Sequence, residues 1–139
     1  MVEIRLLTVQ DIQPIVVTFA KLGWNKPASQ YERYLAEQKS GRRSVLVATL
    51  KEVFAGYVTI LWESEYPSFR ETGIPEIVDF NVLPMLRRQG IGTHLMDEAE
   101  RRIAERSSIA GIGVGLTGDY GAAQILYFKR GYIPDGRGI

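Results

Sequence analysis

From Ile74 to Leu116 the chain carries the pattern that most restricts its fold: an apolar strand, a basic glycine turn, a long amphipathic helix and a second apolar strand. From Gly90 to about Ser107, Ile91, Leu95, Ala99 and Ile103 recur at steps of four with charged residues opposite, which marks one buried helix face. The flanking segments, Ile74–Leu83 and Ile109–Leu116, are apolar and rich in β-branched residues. Two strands joined by a helix pair in parallel, so a crossover in a sheet is expected here. Ile109–Leu116 is also rich in glycine, which suits a strand whose backbone is closely approached by something else.

The rest of the chain supplies the other layers. Val2–Leu6 alternates apolar and charged residues, as a half-buried strand does. Thr8 is placed to cap a helix that buries Ile12, Ile15, Val16, Phe19 and Ala20, with Pro14 early in it and Gly23 ending it. A second helix is expected over Ala28–Lys39 with Tyr31, Tyr34 and Leu35 on its apolar side. Ser44–Leu50 and Val53–Leu61, separated by Lys51-Glu52, read as a β-hairpin, and Glu63–Gly73 reads as a loop. Ala122–Arg130 is expected to form a short helix with Ala123, Leu126 and Tyr127 inward, closed by Gly131; Tyr132-Ile133 begins another extended segment. The order predicts an α/β (α+β) fold, a single mixed β-sheet flanked by helices with two parallel-type crossovers. At 139 residues a single domain over 1–139 is expected. The chain stops at Gly138-Ile139, so the C-terminal strand is expected to be short or missing, leaving an edge that a second copy would cover as a homodimer.

Composition removes several functions. Seventeen basic and 16 acidic side chains give a net charge of +1, so no global field draws the protein to nucleic acid or a membrane. There is no cysteine, hence no disulfide, thiolate metal site or thiol nucleophile. The N-terminus has no basic segment followed by an apolar run, and no long apolar stretch appears elsewhere, so a cytoplasmic location is the expectation. His94, the sole histidine, has no partner spacing that suggests a metal; a lone histidine on a polar helix face is most often solvated. Arg101-Arg102 with Glu98, Glu100 and Glu105 reads as an exposed face of mixed-sign pairs.

Chemistry concentrates in Arg87-Arg88-Gln89-Gly90-Ile91-Gly92-Thr93. A helix start offers unpaired N–H groups and partial positive charge, a ready site for phosphate oxygens. Gly90 and Gly92 let the backbone come close, and Arg87 and Arg88 add charge that does not titrate. A Rossmann fingerprint would place its third glycine where Leu95 stands, and a Walker loop would need Gly-Lys-Ser/Thr. Both readings weaken on spacing; a diphosphate is the natural guest.

The arrangement resembles the pyrophosphate-binding motif of the GNAT superfamily of N-acetyltransferases, Arg/Gln-x-x-Gly-x-Gly/Ala, matched by Arg87, Gly90 and Gly92. The resemblance continues upstream in Val82-Leu83-Pro84 and downstream in Ala123–Tyr132, which looks like that family's helix-four signature. It implies a GNAT-like acyl-CoA N-acyltransferase fold, with acetyl-CoA as co-substrate lying between two splayed strands and no metal. Implied contacts are the backbone of Phe80, Asn81 and Val82 for the pantetheine arm, by strand-like pairing. Arg88, Gln89, Gly90, Ile91, Gly92 and Thr93, with Arg87 alongside, are implied for the pyrophosphate.

Acyl transfer from a thioester to an amine requires that an ammonium lose a proton and a thiolate leave. Glu76 and Asp79 are candidate bases, beside a water path; at odd separation on a regular strand they point to opposite faces. Resemblance to family members with a strand-four carboxylate favours Glu76. Tyr127 is implied as general acid, since a phenol of pKa ~10 can protonate a departing thiolate of pKa ~8.5. Where the family often carries an asparagine three residues before the alanine of helix four, this chain has Tyr120, which supplies a hydroxyl instead, stacks near the adenine or packs as a loop aromatic. Trp24, Trp62 and Tyr66 lie in loops that line an acceptor pocket or staple themselves down; Glu63, Glu65 and Glu71 would suit a cationic acceptor. The expected function is N-acetyltransfer from acetyl-CoA directly to an amine of a small molecule or peptide. The alternatives are a non-catalytic acyl-CoA-binding or regulatory module on the same fold, and a nucleotide-binding protein unrelated to CoA.

Overall fold

In a computed structural model the described residues are 1–63, 73–86, 89–113, 123–128 and 132–134, the last two stretches by backbone pairing. Among the described residues seven strands form one sheet in the order β1 (Val2–Leu6), β2 (Arg43–Leu50), β3 (Val53–Leu61), β4 (Glu76–Val82), β5 (Ile109–Gly113), β6 (Ala123–Phe128) and β7 (Tyr132–Pro134). Only β4 and β5 pair in parallel; every other neighbour is antiparallel. Helices α1 (Ile12–Lys21) and α2 (Ala28–Lys39) precede β2, and α3 (Ile91–Ala104) makes the crossover from β4 to β5. No helix among the described residues is long and apolar enough to cross a membrane.

The two sheet faces carry separate cores. Ile12, Ile15 and Phe19 of α1 and Tyr31 and Tyr34 of α2 pack with Val45, Val47, Phe54 and Tyr57. On the other face Ile91, Leu95, Ala99 and Ile103 of α3 pack with Leu46, Ala48, Val58, Ile60, Ile77 and Ala110. All four α3 residues are those of the four-step repeat, and burying a side chain such as Leu95 contributes about 1.5–3 kcal/mol.

Several local expectations hold. Lys51 and Glu52 both take positive φ, 53° and 67°, the mirror-image turn that matches strand twist in a two-residue hairpin. Before α1 the backbone N–H and hydroxyl of Thr8 both donate to the Asp11 carboxylate, which also receives two bonds from Arg5 at 2.6 and 2.7 Å. Val9–Asp11 forms a 3-10 turn there, so the α-helix itself begins at Ile12. Glu98 pairs with Arg101 at 2.6 Å and with Arg102 at 2.8 Å on the polar side of α3.

One element differs. Ala123–Phe128, expected inside a helix, is strand β6, antiparallel to both β5 and β7. The run Ile125-Leu126-Tyr127-Phe128 is too short for periodicity to separate helix from strand, and its β-branched and aromatic content suits a strand. One parallel crossover is therefore described where two were expected. The last strand among the described residues is β7, and the residues that follow it lie outside them.

Candidate functional site

The site is built around β4. Its pairing with β5 is limited to Glu76 with Gly111 and Ile77 with Ile112, extended by the Gly111 N–H bond to the Pro75 carbonyl at 2.8 Å. Pairing with β3 continues to Val82. From Val78 onward β4 thus has a strand on one side and, among the described residues, none on the other. Phe80, Asn81 and Val82 lie on that one-sided stretch, the edge expected to take an extended arm.

A β-bulge marks where the partnership ends. Thr59 pairs with Val78 and Tyr57 with Asn81, so Asp79 and Phe80 together oppose the single residue Val58. Asp79 takes φ 59°, a left-handed conformation that costs most L-residues roughly 1–2 kcal/mol and that aspartate visits more readily. The regular-strand expectation for Glu76 and Asp79 fails for this reason. Ile77 packs on the α3 face, and Glu76 pairs with Leu61 on the opposite one. The extra residue brings Asp79 to that same face, against α2. Both carboxylates therefore look toward α1 and α2.

Asp79 is held there by four donors. The phenols of Tyr34 and Tyr57 reach its Oδ2 at 2.7 and 2.8 Å, Gln30 Nε2 lies at 3.4 Å, and Asn81 Nδ2 reaches Oδ1 at 2.9 Å. Because Tyr57 spends its proton on Asp79, the 3.1 Å contact between Tyr31 and Tyr57 has Tyr31 donating. Burial, and then the Asp79 charge, raise all three phenols, Tyr31 to about 12, so they remain protonated donors at neutral pH. Arg43, 6% exposed, braces this group. Its guanidinium lies 4.1 Å from the Tyr34 ring centroid, pairs with Glu37 at 2.7 Å and donates to Thr59 Oγ1 at 2.8 Å. Thr59 in turn donates to the Val78 carbonyl at 2.7 Å, the residue just before the bulge.

Glu76 is buried, 1% exposed, at the parallel register with Gly111. Tyr127 lies on β6 opposite Ile109, so the two sequence-derived catalytic candidates sit on strands with β5 between them. The segment containing Tyr120, and Tyr66, Glu65 and Glu71, lie outside the described residues, as do Arg87 and Arg88.

Beyond β4 a 3-10 turn at Pro84–Leu86 leads toward α3. Gly90 is its N-cap with φ 82°, a conformation that glycine takes without strain. No side chain among the described residues caps this end, and the first turn carries no acid, which leaves its N–H groups and partial positive charge for an anion. A Cβ built on Gly92 would lie 3.2 Å from Phe80 Cζ, so the ring from β4, 46% exposed, rests against the first turn of α3. Ile91 is buried, while Gln89 and Thr93 are exposed. The His94 ring donates from Nδ1 to the Gly90 carbonyl at 2.7 Å, which gives the histidine a local bond at the helix start. The anion-ready turn and the one-sided strand are thus joined through Phe80 and Gly92.

The two tryptophans are packed. Trp24 stacks on Phe19 at 5.3 Å, while Trp62 donates to Ser44 Oγ at 3.0 Å and lies under Arg106 at 3.8 Å. Sequence reasoning missed Tyr34, Tyr57, Thr59 and Arg43 as parts of the site. Tyr34 was legible only as helix core; the available signal was Asp79 itself, a residue type that tolerates positive φ.

Comparison with known proteins gives a consistent picture. Residues 9–132 match the model of the acetyltransferase (GNAT) family. The chain is similar in fold to an N-acetyltransferase from Staphylococcus aureus Mu50, with TM-score 0.65, 13% identity and coverage of 86% of this chain and 76% of that one. It is similar to the PaiA N-acetyltransferase from Thermoplasma acidophilum, crystallised in complex with coenzyme A: TM-score 0.63, 15% identity, 87% and 84% covered. A ribosomal-protein-alanine N-acetyltransferase from Brucella melitensis gives TM-score 0.61 at 24% identity, 81% and 75% covered. Among functionally curated proteins there is no significant sequence match.

Proposed function

The chain belongs to the GNAT acetyltransferase family, and from that premise we propose that it transfers an acetyl group from acetyl-CoA directly to the amine of a small molecule or peptide. The family is one of acetyl-CoA-dependent N-acetyltransferases. The observation that carries the reading is the one-sided stretch of β4 running toward a helix start that no side chain among the described residues caps. That pairing of an extended polar edge with an anion site fits a ligand with an amide-bearing arm and a diphosphate. Phe80, Asn81 and Val82 would hold the arm through their backbone. Arg88, Gln89, Gly90, Ile91, Gly92 and Thr93, with Arg87 beside them, would hold the diphosphate.

When bound, acetyl-CoA supplies an acyl group on a thioester. The chain's own residues handle protons. An alkyl ammonium of pKa ~10.4 is mostly charged at neutral pH and must lose a proton before it attacks. Glu76 is the proposed acceptor of that proton. Glu76 is preferred to Asp79 by resemblance to family members with a carboxylate on this strand. Tyr127 is the proposed donor to the departing thiolate. Glu76 and Tyr127 stand on β4 and β6, strands about two spacings, roughly 10 Å, apart with β5 between them. The reading takes the protein to be cytoplasmic. A homodimer that covers the β7 edge belongs to it too, and a monomeric mass at high concentration would remove that part.

The test is a panel of amines, including polyamines, amino acids and peptides with free N-termini, read by thiol release from acetyl-CoA. Acceptor-dependent release, lost in Glu76→Gln and Tyr127→Phe, supports the assignment. Binding of acetyl-CoA with no release across the panel would favour the non-catalytic acyl-CoA-binding module.

A further inference from the structure

Asp79 is left unexplained by the reaction above. It stands in a left-handed conformation at the bulge, on the residue before the three whose backbone faces the donor. Its carboxylate is taken up by two phenols, an amide from α2 and an amide two residues ahead. One helix and one strand thus converge on it: Tyr34 and Gln30 from α2, Tyr57 from β3. On the other side of the bulge Thr59 holds the Val78 carbonyl, itself held by Arg43, whose guanidinium also covers the Tyr34 ring. Both flanks of the bulge are therefore tied to the same buried group of side chains.

We propose that Asp79 is a positioning residue for the donor: clamped by Tyr34 and Tyr57, it fixes the left-handed bulge that turns β4 away from β5 and presents Phe80, Asn81 and Val82 to the pantetheine arm. The proposal rests on the acetyl-CoA reading. Its physical content is conformational. Glycine adopts positive φ freely, aspartate at some strain and alanine poorly. The clamp does for aspartate what the absence of a Cβ does for glycine.

This gives an experiment in which the side chain and the conformation separate. Acetyl-CoA affinity is measured by calorimetry on the wild type, Asp79→Ala, Asp79→Gly and the pair Tyr34→Phe/Tyr57→Phe, with the pH profile of kcat/KM recorded for Asp79→Gly. Alanine is expected to weaken acetyl-CoA by about tenfold or more, whereas glycine restores affinity to within about threefold of wild type. The tyrosine pair is expected to weaken it about fivefold, since the clamp is loosened while the aspartate remains. The acidic limb of the profile is expected to stay in place for Asp79→Gly. Affinity in the glycine variant as poor as in the alanine variant overturns the proposal, because the carboxylate itself would then be needed. Loss of the acidic limb overturns it by making Asp79 the base, and wild-type affinity in Asp79→Ala overturns it by making the bulge irrelevant. Should Asp79→Ala fail to fold, the glycine variant and the tyrosine pair decide by the same criteria. A wild type that binds no acetyl-CoA fails at the earlier step and is distinguished from all of these.

Discussion

Gly56 in β3 lies so close to Asn81 in β4 that a Cβ built on the glycine would stand 2.5 Å from the Asn81 carbonyl oxygen. No side chain fits there without moving backbone. β3 also departs from regular pairing with β2 at this point, between Ala48 and Thr49, so the sheet is irregular on both sides of Gly56. The close approach lets β4 lie against β3 up to Val82, which sets the edge proposed to take the donor.

Replacing Gly56 with alanine should therefore cost stability and donor affinity together. Forcing a methyl against backbone costs about 1–3 kcal/mol, read as a lower urea midpoint with unchanged slope. Acetyl-CoA should bind several-fold more weakly. An unchanged dissociation constant in a destabilised variant would mean that the shift does not reach the Phe80–Val82 backbone.

Tyr127→Phe removes one hydroxyl from β6. With Tyr127 as proton donor, kcat should fall about a hundredfold while the acetyl-CoA dissociation constant stays near wild type. Unchanged turnover would end the assignment, and equal losses in affinity and turnover would mark the hydroxyl as a binding contact.

At the hairpin, Lys51 and Glu52 occupy two left-handed positions with no glycine. Changing them to Asn-Gly matches the turn to residues that take positive φ readily. The gain should be about 1 kcal/mol, a rise in Tm of roughly 3–5 °C, measured by thermal unfolding with activity unaffected. No rise would indicate that the strain is already relieved in the native turn.

Acid should loosen the start of α1. Burial pushes the Asp11 carboxyl up, but the bonds from Arg5 and from Thr8 outweigh it, and the group ends below its ordinary value. A carboxylate depressed on folding contributes stability above its unfolded pKa of about 3.9 and loses it as pH falls through the folded value. Asp11→Asn should thus lower the urea midpoint at pH 7, with the gap from wild type narrowing below about pH 4. A gap that stays constant down to pH 2 would show that the charge is not what matters.

Much of this architecture was legible because it rests on period and punctuation. The four-step repeat of Ile91, Leu95, Ala99 and Ile103 located α3 and its buried face; Ala28–Lys39 was bounded by Pro27 and Ser40-Gly41, and the hairpin by Lys51-Glu52. Ala123–Phe128 was misread because the apolar run Ile125–Phe128 spans only about one helical turn, and its pairing with β5 and β7 is a non-local fact. The bulge at Asp79 escaped for a related reason. Alternation predicts faces only while register is kept, and one inserted residue moved Asp79 from the face of Ile77 to that of Tyr57. The anion turn was read from glycine and charge. The tyrosine clamp was invisible, because Tyr31 and Tyr34 look the same in sequence whether their hydroxyls are spent on a core bond or on a carboxylate.

Whether the β4 edge and the start of α3 hold acetyl-CoA is decided by calorimetric titration of acetyl-CoA into the wild type and Arg88→Glu. Wild-type binding is expected in the micromolar range typical of such substrates, weakened about tenfold or more by the charge reversal, with no comparable binding of ATP or NAD. Absence of binding by acetyl-CoA and CoA at about 1 mM, or equal affinity in wild type and Arg88→Glu, would contradict it.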